Sequence, residues 1–129
     1  LSLVCNNTTR PLFLSGNEKE LHSAFSNLVT NAIKYTQVEG RINILLWQDQ
    51  KNVYVSVSDN GAGIEAQHLP RLTERFYRVD ASRNSATGGT GLGLAIVKHV
   101  LMRHYAELKI TSEPGKGSVF TCIFSLSSD

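Results

Sequence analysis

A chain of 129 residues, 41% apolar and 19% charged, has the size and composition of one globular domain that buries a core without disulfide or metal staples. Its formal net charge of +2 is too small and too scattered to recruit nucleic acid by electrostatics. No stretch approaches the roughly 20 consecutive apolar residues that a bilayer crossing requires.

The chain opens on Leu1, with no charged and then apolar leader, and reads as a piece of a longer protein. Residues 1–5 and 12–15 have the look of short strands. Asn17, with Glu20 three places on, is close to a capping box and predicts a helix start. Leu21, Ala24, Phe25, Leu28, Val29, Ala32 and Ile33 then recur at spacings of three and four, the apolar stripe of a helix over residues 18–36. Residues 41–48 and 53–58 are rich in β-branched and aromatic side chains and predict a hairpin across Asp49 to Asn52, with Val53, Val55 and Val57 on one face. A short helical stretch over 65–76 leads into a polar loop at 79–87 that has few apolar anchors. A second helix is predicted over 92–105, and a closing hairpin joins 107–111 to 118–125 across Glu113, Pro114, Gly115, Lys116 and Gly117. No repeat or long linker divides the chain, so residues 1–129 form one domain. The element order predicts an α+β fold, a two-layer α/β sandwich with helices on one face of a mixed sheet. Cys5 and Cys122, without CxxC or a nearby His pair, read as buried thiols.

Four patches carry candidate chemistry. In the first helix, Asn27, Asn31, Lys34 and Tyr35 fall on one side at the margin of the apolar stripe. Amide oxygens one turn apart suit a hard cation such as Mg²⁺, and an ammonium suits phosphate; a solvated helix face is the plainer alternative. At the end of the second hairpin strand stands Asp59-Asn60-Gly61-Ala62-Gly63-Ile64. Its glycines permit a sharp turn and close approach of a planar ligand, and an ionised Asp59 accepts a hydrogen bond from the exocyclic amine of adenine but not from the carbonyl of guanine. An Asx turn is the alternative. Gly88-Gly89-Thr90-Gly91-Leu92-Gly93-Leu94 runs directly into a helix, where exposed amides and the helix dipole favour phosphate. It fits neither the dinucleotide fingerprint, since Leu94 replaces the last glycine, nor Walker A, since Leu94 stands where lysine is required; it is a phosphate loop of another kind or a flexible linker. Last, in the segment from Arg71 to Asp80, Phe76 can anchor the loop around Tyr77 and Arg78 in the core while an arginine reaches a terminal phosphate; taken singly, an exposed basic helix end is the better reading.

In order and spacing, the asparagine helix, the DxGxG turn, the FYR segment and the GTGLGL loop resemble the N, G1, F and G2 boxes of the ATP-binding catalytic domain of bacterial sensor histidine kinases. The likeness runs from about Gly16 to the closing Gly115-Lys116-Gly117 turn. The stretch from Leu72 to Asp80, with Leu72-Thr73 where many relatives carry an aromatic residue, points to one branch of that family. The resemblance implies a Bergerat-type ATP site covered by a mobile lid from about Val79 to Gly91. On that basis Asn31 would coordinate Mg²⁺, with Asn27 beside it. Lys34 would contact phosphate and Tyr35 would lie by the adenine. Asp59 would bind the adenine amine in a pocket shaped by Gly61, Gly63 and Ile64. Tyr77 would belong to the nucleotide-binding set, and Arg78 would meet the γ-phosphate. Amides around Gly89, Thr90, Gly91, Leu92 and Gly93 would cradle the triphosphate. The catalytic set implied is Asn31, Lys34 and Arg78, the cofactors ATP and Mg²⁺. Where ATP-hydrolysing relatives of this fold use a glutamate to activate water, Asn27 offers an amide that is no general base, so hydrolysis is expected to be slow.

The family passes phosphate to a histidine followed by an acidic residue and then a proline. His22, His68, His99 and His104 all lack that context. The resemblance therefore implies a protein-histidine kinase domain that does not autophosphorylate alone. Its partners would be a histidine-bearing dimerisation domain of the same parent and a response regulator. It implies neither nucleic acid nor direct membrane contact for this cytoplasmic domain, and a homodimeric parent in the bacterial inner membrane. A serine kinase of the anti-sigma-factor type and a non-catalytic nucleotide-binding module are the competing readings.

Overall fold

The period of two along the strands decides how the sheet faces its helices. The computed structural model describes residues 2–6, 16–36, 40–75 and 93–125. Five strands, β1 (Ser2–Asn6), β2 (Arg41–Gln48), β3 (Asn52–Asp59), β4 (Glu107–Glu113) and β5 (Gly117–Ser125), form one sheet in the order β1-β2-β3-β5-β4. β1 lies parallel to β2 and the remaining pairs are antiparallel, so the sheet is mixed as expected. Register sets Ile44 opposite Val57, Val57 opposite Phe120 and Phe120 opposite Ile110. A period of two then puts Ile42, Val53, Val55, Val57, Phe120, Cys122 and Phe124 on one buried face. Burial pushes the Cys122 thiol up to about 12, which leaves it an inert core residue. The side chain of Cys5 and the predicted strand at 12–15 lie outside the described residues.

Two helices, α1 (Glu18–Tyr35) and α2 (Gly93–Arg103), cover that face. α1 contributes Leu21, Ala24, Leu28 and Ala32; α2 contributes Leu94, Val97, Val100 and Leu101. Phe25 meets Phe124 edge to face, centroids 6.1 Å apart. Ile33 departs from the predicted stripe and is 47% exposed. At 100° per residue it is turned well past Ala32 and off the core-facing arc. The helical stretch expected over 65–76 is a 3-10 helix, Ala66–Arg71, followed by turns as far as residue 75. Pro70 inside it has no N–H to sustain an α-helix, and buried Leu72 fastens the segment to the core.

The far ends of α1 and α2 are tied by polar bonds. Asn17 caps α1, its Oδ1 accepting the Glu20 N–H at 3.0 Å. The reciprocal half of a capping box does not form, because the Asn17 N–H goes to His104 Nε2 at 3.0 Å instead. His104 Nδ1 lies 2.8 Å from the Val100 carbonyl, so this nitrogen carries the ring proton and Nε2 is the acceptor. Glu20 pairs with Arg103 at 2.9 Å, and that bond holds its carboxyl below the usual carboxylate range. Asn17→Ala removes one helix cap and leaves the backbone bond to His104 in place. It is expected to cost about 1 kcal/mol, read as a lower urea midpoint with an unchanged m-value.

Candidate functional site

Asn27 and Asn31 sit half-buried on α1, one turn apart, while Lys34 is exposed. The Asn27 amide nitrogen donates to the Ser23 carbonyl at 2.8 Å, which turns its oxygen the other way. That oxygen faces Gly93, the first residue of α2; a Cβ at Gly93 would lie 3.0 Å from Asn27 Oδ1. The helix carrying the asparagines and the exit of the glycine-rich loop are thus adjacent, and a side chain at Gly93 would have to push the Asn27 amide aside by a few tenths of an ångström. Among the described residues the Asn31 side chain makes no hydrogen bond. A half-buried amide without a partner is a donor set that suits a hydrated Mg²⁺ brought in with phosphates.

The second neighbourhood is built on Asp59. Because β3 buries Val53, Val55 and Val57, the next residue on that face, Asp59, also points inward and is only 9% exposed. Its Oδ1 accepts the Gly61 N–H at 2.9 Å. Burial raises its pKa above the ordinary 3.8, and the amides of Gly61 and Ser118 oppose that rise. The Asx turn expected as the plainer alternative is therefore present, but it satisfies the carboxylate only in part.

The turn after Asp59 is clamped to the β4–β5 hairpin. Gly115 donates to the Ala62 carbonyl at 2.7 Å, and the Ile64 N–H reaches Ser112 Oγ at 2.7 Å. Gly63 has φ +77°, and a Cβ there would run into the Glu113 carbonyl. Gly117, at φ +123°, meets the Asp59 carbonyl in the same way. Ile64 is buried at the base of the turn. Gly61, Gly63 and Ile64 are thus gathered about Asp59. Ser112, Gly117 and Ser118 join them without having been marked by the sequence, where serines in a strand carry no signal of their own. Their presence follows from register, which sets Asp59 against Ser118 and Ser118 against Ser112.

The side chain of Tyr35, and Tyr77, Arg78, Gly89, Thr90, Gly91 and Leu92, lie outside the described residues, as does the predicted loop at 79–87. A cleft of about 320 Å³ borders Asp59, Ser112, Glu113, Lys116, Gly117 and Ser118. A larger one, about 460 Å³, lies between residues 73–75 and the outer side of α2 and touches none of the expected site residues that are described. The smaller cleft is the better candidate because it holds the buried carboxylate.

The chain matches the family described as histidine kinase-, DNA gyrase B- and HSP90-like ATPase over residues 16–128. It is 66% identical over 112 residues to the phosphate regulon sensor protein PhoR of Pseudomonas aeruginosa, covering 87% of this chain and 25% of that protein. To PhoR of Haemophilus influenzae it is 50% identical over the same share of this chain and 26% of the relative. The chain thus spans about a quarter of the length of these curated relatives. Among solved structures, the mycobacterial sensor histidine kinase MprB superposes with a TM-score of 0.78 at 28% identity, over 95% of this chain and 83% of that one. Full-length ShkA in complex with AMPPNP superposes at 0.82 over 95% of this chain and 25% of that one; at 24% identity this likeness is one of fold. The α+β sandwich expected from the element order is the fold of histidine kinase catalytic domains.

The raised pKa of Asp59 sets two outcomes. The folded protein takes up this proton more readily than the unfolded chain, so the group's contribution to stability is fully present below 3.8 and is lost as pH rises through the higher folded value. Asp59→Asn removes a buried charge and keeps an acceptor for Gly61. At neutral pH its ligand-free melting temperature is expected to equal or exceed that of the wild type, and the acid side of the stability profile flattens. Thermal melts across pH 3–8 check both.

Proposed function

This chain belongs to the histidine kinase-, DNA gyrase B- and HSP90-like ATPase family, and on that premise we propose that it is the ATP-binding catalytic domain of a sensor histidine kinase. It would bind Mg-ATP and donate the γ-phosphoryl group to a histidine on a separate dimerisation domain of the same parent protein. A response regulator would receive the phosphate next. The parent is proposed to be a homodimer anchored in the bacterial inner membrane and to act in phosphate-starvation signalling. The identity to PhoR in two organisms supports that branch, in keeping with the Leu72-Thr73 variation ahead of the FYR segment. No helix among the described residues is long and apolar enough to cross a membrane.

One observation supports this reading: the Asn27 amide oxygen lies against Gly93, so the asparagine helix and the exit of the glycine-rich loop are neighbours. In the proposed arrangement Asp59 accepts the adenine amine, in the pocket of Gly61, Gly63 and Ile64. Asn31, with Asn27, holds Mg²⁺, and Lys34 and Arg78 meet the phosphates. Tyr35 and Tyr77 complete the nucleotide-binding set, and the amides of Gly89, Thr90, Gly91, Leu92 and Gly93 cradle the triphosphate. Mg²⁺ bound there neutralises phosphate charge. The protein's own contribution is orientation: it aligns the γ-phosphorus for an incoming imidazole and offers water no general base, since Asn27 is an amide.

Titration with ATP, ADP and GTP, with and without Mg²⁺, tests the site. ATP and ADP are expected to bind, with GTP weaker by about 10- to 100-fold, the range of a lost hydrogen bond to a charged group. Equal affinity for GTP and ATP would remove the role given to Asp59. Asn31→Ala is expected to abolish the Mg²⁺ dependence of ATP binding while leaving the melting temperature within a few degrees. The isolated domain is expected to hydrolyse ATP more slowly than ~1 per second, and radiolabel is expected to appear on histidine only when the helical domain is added.

A further inference from the structure

Ser112 stands on β4 in the same cross-strand row as Asp59 and Ser118, since Asp59 pairs with Ser118 and Ser118 with Ser112. Its half-buried hydroxyl is engaged three times. It accepts the Ile64 N–H at 2.7 Å, donates to the Gly117 carbonyl at 3.0 Å, and lies 2.7 Å from Ser118 Oγ. A hydroxyl has one proton and two lone pairs. The Ile64 N–H occupies one lone pair and the proton goes to Gly117, so the remaining lone pair takes the proton of Ser118. Reversing the Ser112–Ser118 bond would deprive the Gly117 carbonyl of this donor, a costly exchange beside a buried strand end. Either oxygen of the Ser112–Ser118 pair can donate; with the Ser112 proton on Gly117, Ser118 donates to Ser112 and keeps its own lone pairs at a strand position paired with Asp59.

We propose that Ser112 is a positioning residue for base recognition. It pins the Gly61–Ile64 turn through the Ile64 amide and orients the Ser118 hydroxyl as an acceptor next to Asp59, so that this end of the sheet selects a purine carrying an exocyclic amine. The proposal rests on the adenine-nucleotide reading of the site and adds to it the group that determines hydroxyl direction. With Ser112 absent, Ser118 is free to rotate and donate, and a purine with a carbonyl at that place is no longer refused by it.

The test compares ATP with inosine triphosphate, which carries a carbonyl in place of the amine and a proton on the adjacent N1. For the wild type, Ser112→Ala and Ser112→Thr, dissociation constants for both nucleotides and ligand-free melting temperatures are measured. Ser112→Ala is expected to reduce the ATP-over-inosine preference about tenfold, the size of one neutral hydrogen bond. Ser112→Thr, which keeps the hydroxyl, is expected to restore it. If the alanine variant does not fold, Ser112→Cys, close in volume but a weak donor and acceptor, gives the same comparison. A lower melting temperature with the preference intact would make Ser112 a merely structural residue and overturn the proposal. A wild type that binds no adenine nucleotide, or binds both nucleotides equally, would instead overturn the reading of the site on which the proposal stands.

Discussion

A carboxylate buried at the end of an apolar strand is the constraint around which the described part of this domain is arranged. Alternation in β3 leaves no choice about where Asp59 points: three valines at Val53, Val55 and Val57 face the helices, and the fourth position follows them inward. A buried ionised group is tolerable only with hydrogen-bond donors at hand, and here they are backbone amides, those of Gly61 and Ser118. Bringing the turn and the β4–β5 hairpin close enough for that leaves no space for a Cβ at Gly63 or Gly117. The glycines of this region thus follow from the charge, through the close approach its solvation demands.

The second organising contact is between helices. Asn27 on α1 and Gly93 on α2 touch where the glycine-rich segment enters its helix, and His104, Asn17, Glu20 and Arg103 bind the same two helices at the opposite end. The exposed Glu20–Arg103 pair adds little by itself. The His104 bridge is more specific, because a Cβ at Gly16 would collide with the imidazole and each ring nitrogen has a single partner. Both ends are held and the apolar faces of α1 and α2 join in one core, which fixes where α2 starts relative to α1. On the proposed reading, a loop reaching for phosphate gains precision from such an exit.

Much of this was legible in the chain. The valine alternation, the α1 stripe and the Asn17 cap lie in the described structure where the periodicities put them, because each rests on local geometry with one dominant solution. The DxGxG turn was legible for a related reason: a glycine forced to positive φ has few substitutes. Ile33 lies off the core although the spacing rule counts an apolar residue at the stripe's edge as part of it. The segment around Pro70 is a 3-10 turn and not a longer helix because proline costs more inside a short helix than the surrounding residues recover. What could not be read was the meeting of Ser112, Ser118 and Gly117 with Asp59. It depends on a strand register joining residues about 60 positions apart, which no local pattern reveals.

The same burial that builds the site also works against the ligand-free fold. Desolvation of Asp59 disfavours its charged form, the one an amine donor needs, and the two backbone amides offset this only in part. On the proposed reading, an adenine amine supplies the remaining donor, so the charge is best solvated when nucleotide is bound. Whatever part of that desolvation cost the bound amine relieves adds to affinity, and a ligand that binds only the folded state stabilises it by RT ln(1 + [L]/Kd). An apolar residue in place of Asp59 would make a more stable sheet end and discard that coupling. On the proposed reading the carboxylate marks a position where recognition outweighs stability, and its distinctness from the valines before it is what separates this strand end from an ordinary core.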